Sequence, residues 1–245
     1  MTLAIELGTA QHVVLVAVPA DQAPLTQAAM RALAPYALLS QTRLCDRHLF
    51  ADRSAANPAR VRTSAALPAD MLDTAGCVAR LAPDAVADTT RWLQTVAGTS
   101  AARTLRDLTP DLDHTDPHTL RQALDTFVGQ PRIGRLLDAA DDLVPEDFGA
   151  ALEAHQRNDR RAYAHWLGHN TLLGQALLDH HGLLTPRPQP IGTLLYSLDE
   201  LHTYWHAAIA RISALPEHTM IVAVHAALQH QPPVVPVPVA GHDNR

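Results

Sequence analysis

A chain of 245 residues that is 47% hydrophobic, 18% charged and 4% aromatic can bury a core and is too apolar for a disordered polymer. Its formal net charge is −6 and its densest basic group is Arg157, Arg160 and Arg161, which argues against an extended nucleic-acid-binding surface. All nineteen basic residues are arginine; this lysine-free composition fits a GC-rich bacterial genome and excludes Schiff-base lysine chemistry, a pyridoxal-phosphate anchor and a phosphate-loop lysine.

The chain opens with two aliphatic, β-branched runs, Leu3–Leu7 and His12–Val18, separated by Gly8–Gln11, and these predict a hairpin. Pro24–Leu39 predicts a helix that Pro35 ends or kinks. Thr42–Phe50 and Arg60–Leu67 are weaker strands. After Pro68 the spacing turns helical, over Met71–Leu81, Ala85–Ala97 and Ala101–Leu108. Asp116-Pro117 reads as an N-cap with proline at the first helical position, so a helix should run to Val128, followed by another over Arg132–Leu143. Pro145–Arg157 and Arg160–His181 read as helices, with Gly182 as C-terminal cap. Thr185–Pro190 is a stiff linker, and Ser197-Leu-Asp-Glu200 is a capping box that starts a helix running to Ala214. Glu217–Gln229 is expected as the last helix, ahead of a Pro-rich, disordered tail.

Fifteen histidines mark the sequence, ten of them between His155 and His230. Imidazole is the usual metal ligand and the usual acid–base group near neutral pH. On the helix after Ser197, the apolar stripe is Leu198, Leu201, Trp205, Ala208, Ile209 and Ile212. Asp199, His202 and His206 occupy i, i+3 and i+7, one band along its flank, as helical bundles present ligands to a metal. A purely local account also exists, because acidic residues in a first turn offset the helix dipole. His181 lies on the Tyr163, Trp166, Leu167, Leu173, Leu177 stripe, and His225 lies beside Ile221, Val224 and Leu228. Packing of the last three helices would then bring His181, His202 and His225 together, a set able to hold zinc or iron with an open position. His165 and His169 project to the opposite, solvated side of their helix.

Asp111-Leu-Asp-His-Thr-Asp-Pro-His118 repeats the D-x2-H-x3-H spacing in an acidic loop whose order is not that of an EF-hand. Cys45 sits among Arg43, Arg47 and His48, but in a strand it faces away from His48, so an inert, buried thiol is expected. No G-x-G, G-x-S-x-G or H-E-x-x-H occurs. Arg160–His165 has the R-x4-H form and, over that hexapeptide, resembles the motif of the helical HEPN ribonucleases; the resemblance implies Arg160 and His165 acting together on an RNA phosphate. Arg43–His48 repeats the spacing outside a helical context.

The expected architecture is α+β and predominantly α. A small N-terminal α/β unit spans 1–70, a helical bundle-like body 71–230, and the tail 231–245. Cys45 and Cys77 are too few for a disulfide framework, and the start lacks a basic n-region. The longest aliphatic run, Val13–Ala17, is too short to cross a bilayer. A cytoplasmic accessory or interaction protein follows, with a protein partner or a second copy of itself, no membrane and no cofactor. The alternatives are a metal-dependent enzyme, with Zn or Fe on Asp199, His202, His206, His181 and His225, and a HEPN-like ribonuclease.

Overall fold

The computed structural model describes residues 11–45, 49–51, 61–63, 65–72, 87, 90–91, 93–110, 116–138, 172–187 and 196–229. Its centre is strand β1, Gln11–Pro19, whose residues 12–16 are all buried. A strand with helices on both faces needs apolar side chains in both directions, which is why the run reads as continuous rather than alternating. Helix α1, Leu25–Leu33, ends two residues before Pro35, as expected of a chain approaching proline. Four short strands follow: β2, Arg43–Leu44; β3, Leu49–Ala51; β4, Val61–Thr63; and β5, Ala66–Pro68. Next come α2, Leu105–Leu108; α3, Pro117–Val128; and α4, Pro131–Asp138. Strands β6, Ala176–Asp179, and β7, Gly182–Leu184, precede α5, Leu198–Ser213, and β8, Thr219–Ala227.

The main sheet has six strands in the order β2–β8–β1–β6–β7, with β5 also pairing β8. β8 runs antiparallel to β1 over its whole length, from Gln11 opposite Ala227 to Pro19 opposite Thr219. β6 lies parallel to β1 on the other side, with Leu15 opposite Leu177. β2 and β5 share the outer edge of β8, and β7 folds back on β6. β3 and β4 form a separate two-stranded sheet.

Alternation along the strands sorts two cores. Val14, Val16, Val18, Leu178, Val222 and Val224 pack with Ala28, Ala29 and Leu33 of α1. Leu15, Leu177, Ile221 and Ala223 face the other way, against Leu201, Trp205 and Ala208 of α5 and Leu124, Phe127, Ile133 and Leu136 of α3 and α4. The molecule is therefore a three-layer arrangement about a mixed sheet.

This corrects the expected helical bundle-like body. Two segments account for the difference. Glu217–Gln229 is not the last helix but contains β8, a central strand. The end of Arg160–His181 is not helical but forms β6 and the turn after it. Gly182 does adopt a positive φ, 96°, but closes a hairpin turn rather than a helix. Asp179 initiates that turn: its Oδ1 accepts the His181 N–H at 2.7 Å, the Asx geometry that favours aspartate there. Leu3–Leu7, Pro145–Arg157 and the tail lie outside the described residues, as does most of Met71–Leu81. Among the described residues no helix is long and apolar enough to cross a membrane.

The starts of α3 and α5 follow the sequence closely, whereas the helix expected over Ala101–Leu108 begins only at Leu105. Asp116 Oδ1 accepts the His118 and Thr119 N–H groups ahead of Pro117. Ser197 Oγ accepts the Glu200 N–H at 3.2 Å, and Glu200 Oε2 accepts the Ser197 N–H at 2.8 Å. Glu200 also pairs with Arg187 at 2.5 Å and Arg106 at 2.9 Å, tying α5 to the segment after β7 and to α2. Burial pushes the Glu200 carboxyl up, but the Ser197 hydrogen bonds and the Arg187 guanidinium outweigh it and leave it below its ordinary value. Ser197→Ala should cost about 1 kcal/mol in urea denaturation. An unchanged midpoint would show that the cap carries no load.

Candidate functional site

Because β1 and β6 are parallel and β8 is antiparallel to both, the carboxyl ends of β1 and β6 lie beside the amino end of β8. β5 ends there too, with Pro68 opposite Met220. Loops at this one end therefore gather side chains that are far apart in sequence: Asp70 after β5, Asp179, His180 and His181 after β6, and Glu217 and His218 before β8. Open α/β sheets bind their ligands beyond the carboxyl ends of strands.

Two structures are built there. The first is an ion pair with one buried partner. The Asp179 side chain is fully buried, and its Oδ1 accepts from Arg211 Nη1 of α5 at 3.1 Å. The same Nη1 donates to the Gly182 carbonyl at 3.2 Å, so α5 is latched to both sides of the β6–β7 turn. Asp179 Oδ2 is buried without a hydrogen-bond partner among the described residues. The exposed rings of His180 and His181 meet on the turn with centroids 3.8 Å apart.

The second is a cavity of about 550 Å³ between the turn after β5 and the α5–β8 connection. Leu72, Ile209, Ile212 and Leu215 supply buried or half-buried aliphatic lining, while Asp70, Ser213, Glu217 and His218 are exposed around it. His218 takes a φ of 64°, a left-handed conformation uncommon for a residue with a side chain, though less so for histidine than for most. Its neighbours hold it: the Ala20 N–H donates to the His218 carbonyl at 2.9 Å, and the Thr219 hydroxyl donates to the Pro216 carbonyl at 2.7 Å.

The sequence-derived candidates distribute differently. Asp199, His202 and His206 do share one flank of α5; Asp199 and His206 are exposed, while His202 is half-buried with its ring 5.3 Å from that of Trp205. His225 is half-buried on β8, opposite Val13 and Arg43, near the amino end of β1. His181 is exposed at the carboxyl end, two residues from Asp179, which Arg211 binds; Arg211 itself is nine residues beyond His202, about 13 Å along a helix. His181 and His225 thus lie toward opposite ends of the sheet. Among the described residues no three His, Cys, Asp or Glu side chains form a group that could hold a metal. Arg160, His165 and His114 lie outside the described residues. His118 is exposed beside Gln122, and Cys45 is half-buried against the larger core.

One histidine of unusual environment escaped the pattern. His12 is buried at the amino end of β1, its ring 6.2 Å from that of Tyr196, and its Nδ1 has no hydrogen-bond partner among the described residues. Burial lowers its pKa from 6.5 to about 4. The unfolded chain takes up a proton below pH 6.5 that folded His12 does not accept until about pH 4. Stability from this group is complete above pH 6.5 and falls across that window by roughly 1.4 kcal/mol per pH unit, about 3 kcal/mol in all. His12→Leu should flatten that part of the stability–pH profile, measured by urea denaturation; a profile of unchanged slope would refute the assignment.

Fold and site define a mixed-sheet α/β protein with a cleft beside the carboxyl end of β5 and the amino end of β8. No family model, no curated protein and no solved structure matches the chain.

Proposed function

We propose that this chain is a cytoplasmic accessory protein that works by binding, and that it engages its ligand or partner in the cavity between the turn after β5 and the α5–β8 connection. The observation that carries this reading is the cavity's size and place. Small-molecule sites are concave, span about 300–1,000 Å³, and combine apolar walls with a few polar groups. Here the walls come from α5 and Leu72, and the polar groups from loops that the sheet topology brings to one end. The readings of the sequence as a metal-dependent enzyme or a HEPN-like ribonuclease gain no comparable support. Asp199, His202 and His206 remain a single helix flank, and Arg160 and His165 fall outside the described residues.

The test is a fragment screen followed by amide chemical-shift mapping on the full chain. Fragments that bind saturably should shift the signals of Asp70, Ile209, Ser213, Glu217, His218 and Thr219 before all others. Hits that map consistently to another face would overturn the reading.

A further inference from the structure

We propose that the cavity takes a small organic dication, an aliphatic diamine. The inference rests on the cavity being a binding site and adds the chemistry of its occupant. Three independent features give the site a negative potential. Asp70 comes from the turn after β5 and Glu217 from the α5–β8 connection, so two carboxylates reach the cavity from separate elements. The carboxyl end of α5, a helix of sixteen residues, opens on the same space through Ser213 and turns the negative end of the helix dipole toward it. No arginine stands among the described lining residues to oppose them, and His218 is the one residue there with a basic side chain.

Shape adds to charge. Ile209, Ile212, Leu215 and Leu72 supply aliphatic surface in the same cavity as the two carboxylates. A short methylene chain would lie on that surface while its charged ends stay near water, the way lysine and arginine stems cover apolar surface. An anion would meet two carboxylates and a helix carboxyl end, and a neutral apolar ligand would leave both carboxylates unused. The Thr219 hydroxyl, bonded to the Pro216 carbonyl, holds the turn that presents Glu217 and His218.

Isothermal titration of the full chain with 1,5-diaminopentane tests the assignment, with pentanedioate and 1,5-pentanediol as probes of equal length and different charge. The diamine should bind saturably and the dianion not at all. Asp70→Asn and Glu217→Gln should each weaken the diamine roughly three- to fivefold, the range for exposed ion pairs, and should act together in the double variant. Asp125→Asn, an exposed carboxylate on α3, should leave binding unchanged and so separates the site from general acidity. Equal effects of all three substitutions would overturn the proposal, as would preference for the diol or the dianion. Shift mapping separates the two levels of failure. If other fragments still map to Ile209–Thr219 while the diamine does not bind, the cation assignment falls and the cavity stands. If no fragment reaches those residues, both fall.

Discussion

Gly174→Ala is expected to destabilise the protein by about 4 kcal/mol or to abolish cooperative folding. Gly174 has a φ of 56°, and a Cβ built there would lie 2.4 Å from the Val13 carbonyl oxygen and 2.9 Å from the Val13 Cβ and Cγ1. The obstacle is backbone, and it cannot rotate aside. That carbonyl accepts the Gln175 N–H at 2.9 Å, while the Val13 N–H donates to Gln175 Oε1 at 2.7 Å. The preceding carbonyl, of Leu173, accepts the buried Tyr204 hydroxyl of α5 at 2.9 Å. A methyl at 174 therefore meets left-handed strain of about 1–2 kcal/mol, overpacking of about 1–3 kcal/mol, and weakened hydrogen bonds at the join of β1 and β6. Gly98→Ala is the control. Its φ is 77° but nothing lies within 4 Å, so only the backbone strain applies. Urea denaturation should separate the two variants by more than 2 kcal/mol; equal losses would mean that the contact with Val13 is not what makes position 174 require glycine.

Arg211→Ala is expected to cost about 3–5 kcal/mol, because it leaves the fully buried Asp179 carboxylate without its cation. The same change frees the Gly182 carbonyl from α5. The loss belongs chiefly to the stranded charge, so Asp179→Asn in the Arg211→Ala background should recover most of it. A double-mutant cycle on denaturation free energies reads the coupling directly. Additive losses would show that the two side chains do not act as a pair.

Much of the fold was legible where local chemistry decides. β1 announced itself by valine content, and α3 and α5 by their caps. The buried stripe of α5 matches its projection except that Tyr204 is also buried and Ile209 is half-exposed. β8 was not legible from periodicity. A strand buried on both faces is apolar throughout, and Ile221, Val224 and Leu228 also fit a helical repeat. The adjacent β-branched residues Ile221, Val222 and Val224 were the signal favouring a strand. β6 failed for a related reason: Leu173 and Leu177 continue the projected stripe of Tyr163, Trp166 and Leu167, and only Asp179 and Gly182 marked the turn. The candidate site was illegible because topology assembles it. Asp70, Asp179, Arg211 and Glu217 share no spacing, and they fall at one end of the molecule only because β5, β6 and β8 place their ends beside the carboxyl end of β1. The histidine spacings along α5 were visible for the opposite reason, since one helix flank is written into sequence whether or not anything else faces it.

The central claim is that the cavity beside the carboxyl end of β5 and the amino end of β8 is where this protein binds. Ser213 lies exposed at its edge, so Ser213→Trp fills the space without disturbing either core. Ligand titrations of wild type and Ser213→Trp, run beside their denaturation curves, test the claim most directly. An unchanged midpoint is expected, with binding weakened by roughly tenfold or more, as for loss of a site's shape complementarity. Ligands that bind both proteins equally would contradict the claim.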